Sequence, residues 1–269
     1  MIRYLRLYKA LVQFSLIRAA TFRFDFFFRI IMDLLFYFVQ VTFFYLLYRN
    51  VGPIGGWQWE QILVFVCGYL LVDAVQMTLF SNNFFWFPIS VNRGDLDYHL
   101  IRPVSPLFMV TLREFAVNSF LNLLCALGLM GWALVQYFSA NPQGTWVTYI
   151  VSGVGFVFLI GVGTLIHAGL QWLFLMPVFW TQSTRGFEQA FFTLHRFAER
   201  PHQIFTGPLR FVLLSVVPFA LIASVPAQVL FGPDRATGLL NIFGVFVVLM
   251  SLVAWVWRQA LRSYSSASS

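Results

Sequence analysis

Apolar residues are grouped along this chain in runs that are long enough to cross a lipid bilayer. A helix needs about 20 mainly apolar residues to span a hydrocarbon core of ~30 Å. Six segments meet that length, and they cover residues 26–48, 60–80, 107–138, 146–176, 205–231 and 239–257. The pattern predicts an all-α integral membrane protein with six transmembrane helices.

The fifth run is interrupted by three prolines, Pro208, Pro218 and Pro226. Proline lacks a backbone donor and breaks a straight helix. Irregular backbone at membrane depth is tolerated only where protein or a cavity covers it. We therefore predict a short fifth span, followed by a re-entrant element at about 224–231 that precedes the sixth span.

The first 24 residues alternate basic and apolar side chains instead of forming one apolar run. Arg3, Arg6 and Lys9 fall on one arc of a helix, and mainly apolar residues occupy the other arc. No continuous apolar core or small-residue cleavage site is present, so no signal peptide is predicted. The pattern is typical of an amphipathic helix in the membrane surface. A single transmembrane domain at 25–258 and a cytoplasmic tail at 259–269 complete the predicted organisation.

The composition agrees with a membrane protein and its charges indicate an orientation. Hydrophobic residues make up 59% of the chain and charged residues 10%, which does not suit a soluble domain. Thirteen of the seventeen Lys and Arg residues lie in segments that are predicted on one side of the membrane, namely 1–24, 81–106, 177–210 and the tail from 257. Only Arg49 and Arg235 lie in loops on the other side. Because basic residues are retained in cytoplasmic segments, both termini are predicted to be cytoplasmic. The net charge of +7 follows from this topology and does not indicate nucleic-acid binding.

The sequence contains no catalytic constellation. The phosphate-binding pattern G-x-x-x-x-G-K-[ST] is absent and Lys9 is the only lysine, so ATP would have to be bound by another chain. His195 and Glu199 share a helix face only if the helix continues, and Pro201 interrupts it soon afterwards. A metal site is therefore not favoured there.

Ionisable residues inside the first two predicted spans have several possible roles. Arg29 and Asp33 are four residues apart on one helix face, where they can neutralise each other or take part in transport. Asp73 has no basic residue one turn away, and a carboxylate in lipid costs at least ~2.5 kcal/mol. It is therefore expected to face a partner helix, a polar cavity or a translocation pathway. A structural hydrogen bond and a pathway role both remain open for it.

Two further patterns predict helix packing. Small residues allow helices to approach closely in a membrane, and polar side chains form bonds between them. Four glycines recur on the fourth span: Gly153, Gly155, Gly161 and Gly163. Four polar residues mark one face at the entry of the third span: Arg113, Glu114, Asn118 and Asn122.

A polar segment, RGDLDYHLIRPVSPLF at 93–108, separates the second and third apolar runs. Its clustered charges, which include Asp95 and His99, indicate contact with water or with a partner protein. The spacing resembles the cytoplasmic connector of type-2 ABC exporter permeases, which has the pattern G-x-L-(D)-x-x-L-x-R-P-x-S-P-L. The matching residues are Gly94, Leu96, Asp97, Leu100, Arg102, Pro103, Ser105, Pro106 and Leu107.

A second region is similar to the same family. It combines the entry pattern P-x-x-I-(F/Y)-x-G-P-L-R at 201–210 with V-P-F-A and P-A-x-x-L further on. The matching residues are Pro201, Ile204, Phe205, Gly207, Pro208, Leu209, Arg210, Pro218, Phe219, Ala220, Pro226, Ala227 and Leu230. The order of both regions, together with the six spans, extends the resemblance over nearly the whole chain.

The resemblance, to daunorubicin-resistance and polysaccharide-export-like permeases, implies a transport subunit in the bacterial inner membrane rather than an enzyme. It implies a dimer with a second copy or a sister permease, mounted on two ATPase subunits that hold ATP and Mg²⁺. Membrane lipids would surround the chain, which would carry no cofactor or metal itself. The family does not identify the exported substrate.

The resemblance also implies roles for particular residues. A surface helix at about 1–20 and a connector at about 84–100 would lie against the ATPase, and the pathway would lie at the dimer interface. The coupling residues would be Arg93, Gly94, Asp95, Leu96, Asp97, Arg102 and Pro103. The candidate pathway residues are Phe65, Tyr69, Asp73, Phe211 and Ser215. Pro218 and Pro226 would shape the re-entrant gate.

Other classes of protein remain as alternatives. A secondary transporter or channel is supported by the ionisable residues inside the spans, although no inverted repeat is found. A membrane-embedded enzyme would need the catalytic cluster that is missing. A scaffold of an envelope machine is a further alternative. The polar segment at 93–108 could itself be a solvated turn with an ordinary cytoplasmic charge cluster.

Overall fold

The structure is a computed structural model that describes the chain except residues 1, 20–22, 143–144, 233–234 and 265–269. The side chains of residues 2, 3, 18, 19, 23–27 and 29, which include Arg3 and Arg29, also lie outside the described part. The described part is all-α. Its α-helices are α1 (Ile2–Ala19), α2 (Arg23–Val51), α3 (Trp59–Leu79), α4 (Ser81–Arg93), α5 (Asp97–Leu100), α6 (Pro106–Leu112), α7 (Val117–Ala140), α8 (Trp146–Leu175), α9 (Val178–Thr181), α10 (Arg185–His195), α11 (Gly207–Phe211), α12 (Ser224–Phe231) and α13 (Arg235–Ser263).

Five helices in the described part are long and apolar enough to cross a membrane. They agree with the first four predicted spans and the sixth. The candidate crossings are Ile30–Val51, Trp59–Leu79, Val117–Ala140, Trp146–Thr181 and Arg235–Ser263. The predicted tail from residue 259 continues the helix α13 as far as Ser263.

The helix α3 lies at the centre of the bundle. Every residue from Ile62 to Val72 is buried, and the helix packs against α2, α7, α8 and α12. A helix that is apolar on all sides is stable only when it is surrounded, which explains this position. The helix α2, in contrast, exposes most of its apolar side chains.

Close approach to the bundle centre depends on one of the predicted glycines in particular. A Cβ atom on Gly163 would overlap the backbone carbonyl oxygen of Ile222. Gly153 is in ordinary contact with side chains of α7, while Cβ atoms at Gly155 and Gly161 would meet open space. The predicted tight packing is therefore found at Gly163 and is absent at Gly155 and Gly161.

The predicted third span, 107–138, is divided into α6 and α7 by a break at residues 113–116. Backbone groups in the break are satisfied by side chains and backbone of neighbouring elements. The Asn83 side chain donates to the Glu114 carbonyl at 2.8 Å and accepts from the Glu114 N–H at 2.8 Å. The Ala116 N–H donates to the Thr78 carbonyl at 2.9 Å. These bonds, and that of Asn122 to the Asp33 carboxylate, agree with the predicted polar packing at this helix entry.

The structure differs from the prediction in the region of the fifth span. At the end of the bundle that holds the segment 94–105, which we call the connector end, the Asn92 side chain donates to the Gln182 carbonyl at 2.9 Å. At the opposite end, which we call the far end, Gln203 lies against Gly55 in the loop between α2 and α3. The chain therefore passes from the connector end to the far end between residues 183 and 203.

Residues 205–223, predicted as the fifth span, form short helical pieces instead. The helix α11 continues into a π-helix at Val212–Val216, and a 3₁₀ turn follows at Phe219–Leu221. Ile222 then reaches Gly163, midway along α8. The helix α12 returns to the far end, where the Phe231 ring packs 5.4 Å from Trp57. The three prolines in this region explain why no single helix forms.

Candidate coupling surface

A sharp reversal places residues 94–105 at one end of the bundle, and we call the segment 93–105 the connector. The helix α4 ends at Gly94, whose φ of 80° lies in the left-handed region that favours glycine. The Gly94 N–H donates to the Val91 carbonyl at 3.3 Å. The short helix α5 begins at Asp97, three residues later. The glycine thus allows two helices to meet at a compact corner.

Two buried side chains hold this corner against the bundle. Leu96 is fully buried in an aromatic cluster that includes Phe87 and Trp172. His99 is 5% exposed. Burial lowers the pKa of His99, and the nearby charges of Arg113 and Arg102 lower it further. The sequence analysis grouped His99 with the charged contact residues, but the structure places it inside the connector.

The outer face of the connector combines charge with exposed apolar area. Arg93, Asp95 and Arg102 are exposed. Between them, Tyr98 is 65% exposed and Ile101 is 79% exposed. An apolar patch with a charged rim is typical of a protein interaction site.

The charges of this face can be predicted from the sequence, whereas the exposure of its apolar residues is apparent only in the structure. Tyr98 and Ile101 are three residues apart, so a helix over this segment would place them on one side. Asp97 is partly buried and has an interaction partner, so it belongs to the base of the surface rather than to its rim. Pro103 is exposed at the exit from the connector.

The helix α1 is attached directly to the connector. The Tyr4 ring packs edge-on against Phe108 with ring centroids 5.0 Å apart. The Ser105 N–H donates to the Tyr4 hydroxyl at 3.2 Å. Farther along α1, the Ser15 hydroxyl accepts from the Phe115 N–H at 3.3 Å. The surface helix and the connector therefore form one unit, which we call the coupling surface (residues 4–15 and 93–105).

Rigid aromatic packing joins the coupling surface to two long helices. The Phe87 ring lies 4.5 Å from Trp172 on α8 and 6.2 Å from Trp257 on α13. Interlocked rings of this kind leave little room for independent movement. A displacement of α4 at the connector would therefore be transmitted to α8 and α13.

The candidate pathway residues are not brought together within the described protomer. Phe65 and Tyr69 are buried in the core around α3, and Asp73 is partly buried. Phe211 and Ser215 are exposed on the broken segment 207–216. The geometry gives these five residues two different environments, and their joint role in a pathway remains a prediction.

A polar group near the bundle centre was only partly anticipated. The Tyr69 hydroxyl is hydrogen-bonded to Glu199, and the rings of His167 and His195 stack at 4.5 Å. No group of three His, Cys, Asp or Glu residues suited to a metal ion occurs in the described part of the chain. The Nδ1 atom of His167 and the Nε2 atom of His195 are buried without a hydrogen-bond partner among the described residues, so the bond between Tyr69 and Glu199 satisfies only part of this group.

The residues of the predicted re-entrant gate are buried. Pro218 and Pro226 both lie inside the bundle, and α12 packs against α3, α8 and α13. At its start, the Ser224 hydroxyl accepts from the His202 N–H at 2.9 Å. The element is therefore held at both ends, by His202 and by the contact of Phe231 with Trp57.

Comparison with known protein families gives a match over most of the chain. Residues 34–268 match a family model that is described as ABC-2 family transporter protein. No curated protein and no solved structure matches the chain. The matched range contains the connector, the broken segment and the last four of the five long apolar helices. It also contains the first of these helices from residue 34 onwards. This multi-pass membrane protein therefore belongs to the ABC-2 transporter family, whose members act as permeases in ABC transport.

Proposed function

We propose that this chain is the permease subunit of an ATP-driven exporter and that its coupling surface binds a separate ATPase subunit. The observation that carries the proposal is the exposed patch of Tyr98 and Ile101, rimmed by Arg93, Asp95 and Arg102. These side chains lie on a corner that Leu96 anchors in the aromatic cluster. An interface built in this way can bind a partner and pass its movement into the bundle.

The ATPase would hold ATP and Mg²⁺, because this sequence has no phosphate-binding loop of the G-x-x-x-x-G-K-[ST] type. ABC-2 permeases normally work with ATPase subunits. We propose two ATPase subunits beneath a pair of permeases, either two copies of this chain or this chain with a sister permease. The energy of nucleotide binding and hydrolysis would then move substrate outward.

The basic residues of the coupling surface support a cytoplasmic connector end in the bacterial inner membrane. Arg6, Lys9, Arg93 and Arg102 all lie on this surface, and basic residues are retained in cytoplasmic segments. We propose that 183–203 supplies the sixth crossing in addition to the five long apolar helices. This arrangement leaves both termini in the cytoplasm.

The translocation pathway would lie between the two permeases. Phe211 and Ser215 face outward from the broken segment and are available to a second permease. The buried Tyr69 and Asp73 would reach such a pathway only after helix movement. The re-entrant α12, with Pro226 in its first turn, would close the far end.

The proposal is tested by purifying the chain from native membranes and measuring whether an ATP-hydrolysing chain is retained. Ile101→Asp places a charge at the centre of the exposed patch and is expected to reduce retention by about tenfold, because a contributing interface residue costs more than ~1 kcal/mol when it is lost. The matched control is Val51→Asp, since Val51 is 69% exposed at the far end. The double variant Asp95→Ala and Arg102→Ala should lower transport-coupled ATP hydrolysis without reducing the amount of protein in the membrane.

Equal retention of the ATPase by wild type, Ile101→Asp and Val51→Asp would show that the connector is not its binding surface. The absence of any ATP-hydrolysing partner from wild-type preparations would favour a secondary transporter instead. Unchanged export by a well-expressed Asp95 and Arg102 double variant would contradict the coupling role.

A further inference from the structure

A groove at the far end of the bundle is not used by the proposed function. It lies between the first half of α8, the end of α12 and the start of α13, and we call it the α8–α13 groove. Its volume is about 340 Å³, within the range of ~300–1,000 Å³ that is usual for small-molecule sites. Its lining includes Gly155, Phe158, Leu230, Leu239 and Phe243.

The absence of a side chain at Gly155 opens this groove. A Cβ atom there would meet nothing within 4 Å. On the opposite wall, Leu239 and Phe243 are one helical turn apart on α13 and line the same space. The walls therefore provide an apolar slot beside the bundle that suits a hydrocarbon chain.

One cation lies at the mouth of this apolar groove. Arg235 is the first residue of α13, is exposed, and lines the groove. Its side chain has no hydrogen bond or ion pair in the part of the chain that the structure describes. A guanidinium next to an apolar slot is complementary to a molecule with an anionic head and a hydrocarbon tail.

A second groove on the other side of α8 provides an internal comparison. It lies between α7 and α8, has a volume of about 510 Å³, and is lined by Gly131, Val135, Gly153 and Val157 among others. Its lining contains no charged residue. This larger groove offers apolar contact alone, whereas the α8–α13 groove adds a cation.

We infer that the α8–α13 groove binds one acyl chain of an anionic phospholipid whose phosphate is paired with Arg235. The start of α13 contributes to this selectivity, since the first turn of a helix favours negative charge. The lipid would lie against α12 and would brace the element that returns to the far end. The inference concerns lipid binding and is independent of an ATPase partner.

The experiment compares bound lipid by native mass spectrometry of the purified full chain. Phosphatidylglycerol and phosphatidylcholine with the same acyl chains are added separately to wild type and variants. Phosphatidylglycerol is expected to be retained preferentially by wild type. Arg235→Gln should reduce its retention by about tenfold, to the level of phosphatidylcholine. Gly155→Leu should fill the slot and reduce retention of both lipids.

The matched controls use glycines of the same type of position. Gly131→Leu fills the comparison groove, and Gly161→Leu lies on α8 outside both grooves, where a Cβ atom would also meet open space. Both should retain phosphatidylglycerol as wild type does. Asp234, which precedes Arg235 in the sequence, lies outside the described residues, and Asp234→Asn should leave the preference for phosphatidylglycerol in place.

Glycerol phosphate without acyl chains distinguishes a lipid from a free phosphate. It should not displace phosphatidylglycerol, because the slot contributes to binding through the hydrocarbon tail. Full displacement by glycerol phosphate would overturn the lipid assignment. Wild-type selectivity in Arg235→Gln, or an equal loss in Gly155→Leu and Gly131→Leu, would overturn the site.

Discussion

Two glycines of α8 occupy contrasting environments although they are only two residues apart. Gly163 lies against the backbone of Ile222, just before α12, while a Cβ atom at Gly161 would meet open space. A sequence pattern cannot separate these cases, because both glycines belong to the same repeat. The neighbour that distinguishes them comes from a segment about 60 residues away in the sequence.

Gly163→Ala is therefore expected to destabilise the protein, whereas Gly161→Ala is not. The new methyl group at position 163 would push the backbone at Ile222 away, and overpacking of this kind costs about 1–3 kcal/mol. Thermal unfolding of the two purified variants in one detergent measures the difference. Equal midpoints for both variants would mean that Ile222 does not approach α8 as described.

His99 is expected to make the connector sensitive to acid. Its folded pKa is lowered by burial and by Arg113 and Arg102, so the folded state favours the neutral ring. Stability from this preference is present above the unfolded pKa of about 6.5 and is lost as the pH falls through that value towards the folded pKa. The unfolding midpoint of wild type should therefore fall more than that of His99→Gln between about pH 7.5 and about pH 5.5. Parallel curves would show that His99 does not contribute.

At the scale of elements, the connector depends on the left-handed turn at Gly94. Gly94→Ala must place a side chain at a φ of 80°, which costs about 1–2 kcal/mol. Gly52→Ala imposes the same conformational cost at the far end, where φ is 85° and the space is open. Both variants should unfold more readily, but only Gly94→Ala should lower ATP hydrolysis per copy of bound ATPase. A similar loss of hydrolysis in both would assign the effect to stability rather than to coupling.

The long apolar helices can be predicted from hydropathy, because a helix forms all of its backbone hydrogen bonds within its own segment. The segment 183–203, which we propose as the sixth crossing, is not recognised from hydropathy. Arg185, Glu188, Arg196, Glu199 and Arg200 make it too polar to be recognised as a span. In the structure, the Glu199 side chain is hydrogen-bonded to Tyr69 on α3. The local sequence pattern does not reveal this partner.

The segment that carries the predicted coupling residues is easier to recognise in the sequence than the pathway, and its coupling role stays a prediction. The charged residues of the connector lie within ten positions of one another, between Arg93 and Arg102, so a single segment carries the signal. The structure adds Tyr98, Ile101 and the anchor Tyr4. The pathway residues come from two separate regions whose facing directions depend on long-range packing. Burial of Phe65 and Tyr69 inside the protomer therefore could not be derived from their spacing.

At the scale of the whole molecule, the route of the chain after α8 decides which ends share a side of the membrane. Sequence analysis placed 177–210 on one side as a single cytoplasmic segment. The structure carries Gln182 next to Asn92 and Gln203 next to Gly55, which lie at opposite ends. Arg210, which interacts electrostatically with His202, then belongs with the far end. Basic residues are still in excess at the connector end, because α1, the connector and the end of α13 all lie there.

This route is tested by labelling single cysteines with a membrane-impermeant maleimide, in a background with Cys67→Ser and Cys125→Ser. Thr206 and Asp95 are both exposed, and so is Asn50 at the far end of α2. Thr206→Cys is expected to react from the same side as Asn50→Cys and from the side opposite to Asp95→Cys, because the chain crosses between residues 183 and 203. Labelling of Thr206→Cys together with Asp95→Cys would restore 177–210 as one cytoplasmic segment and would remove the sixth crossing from 183–203.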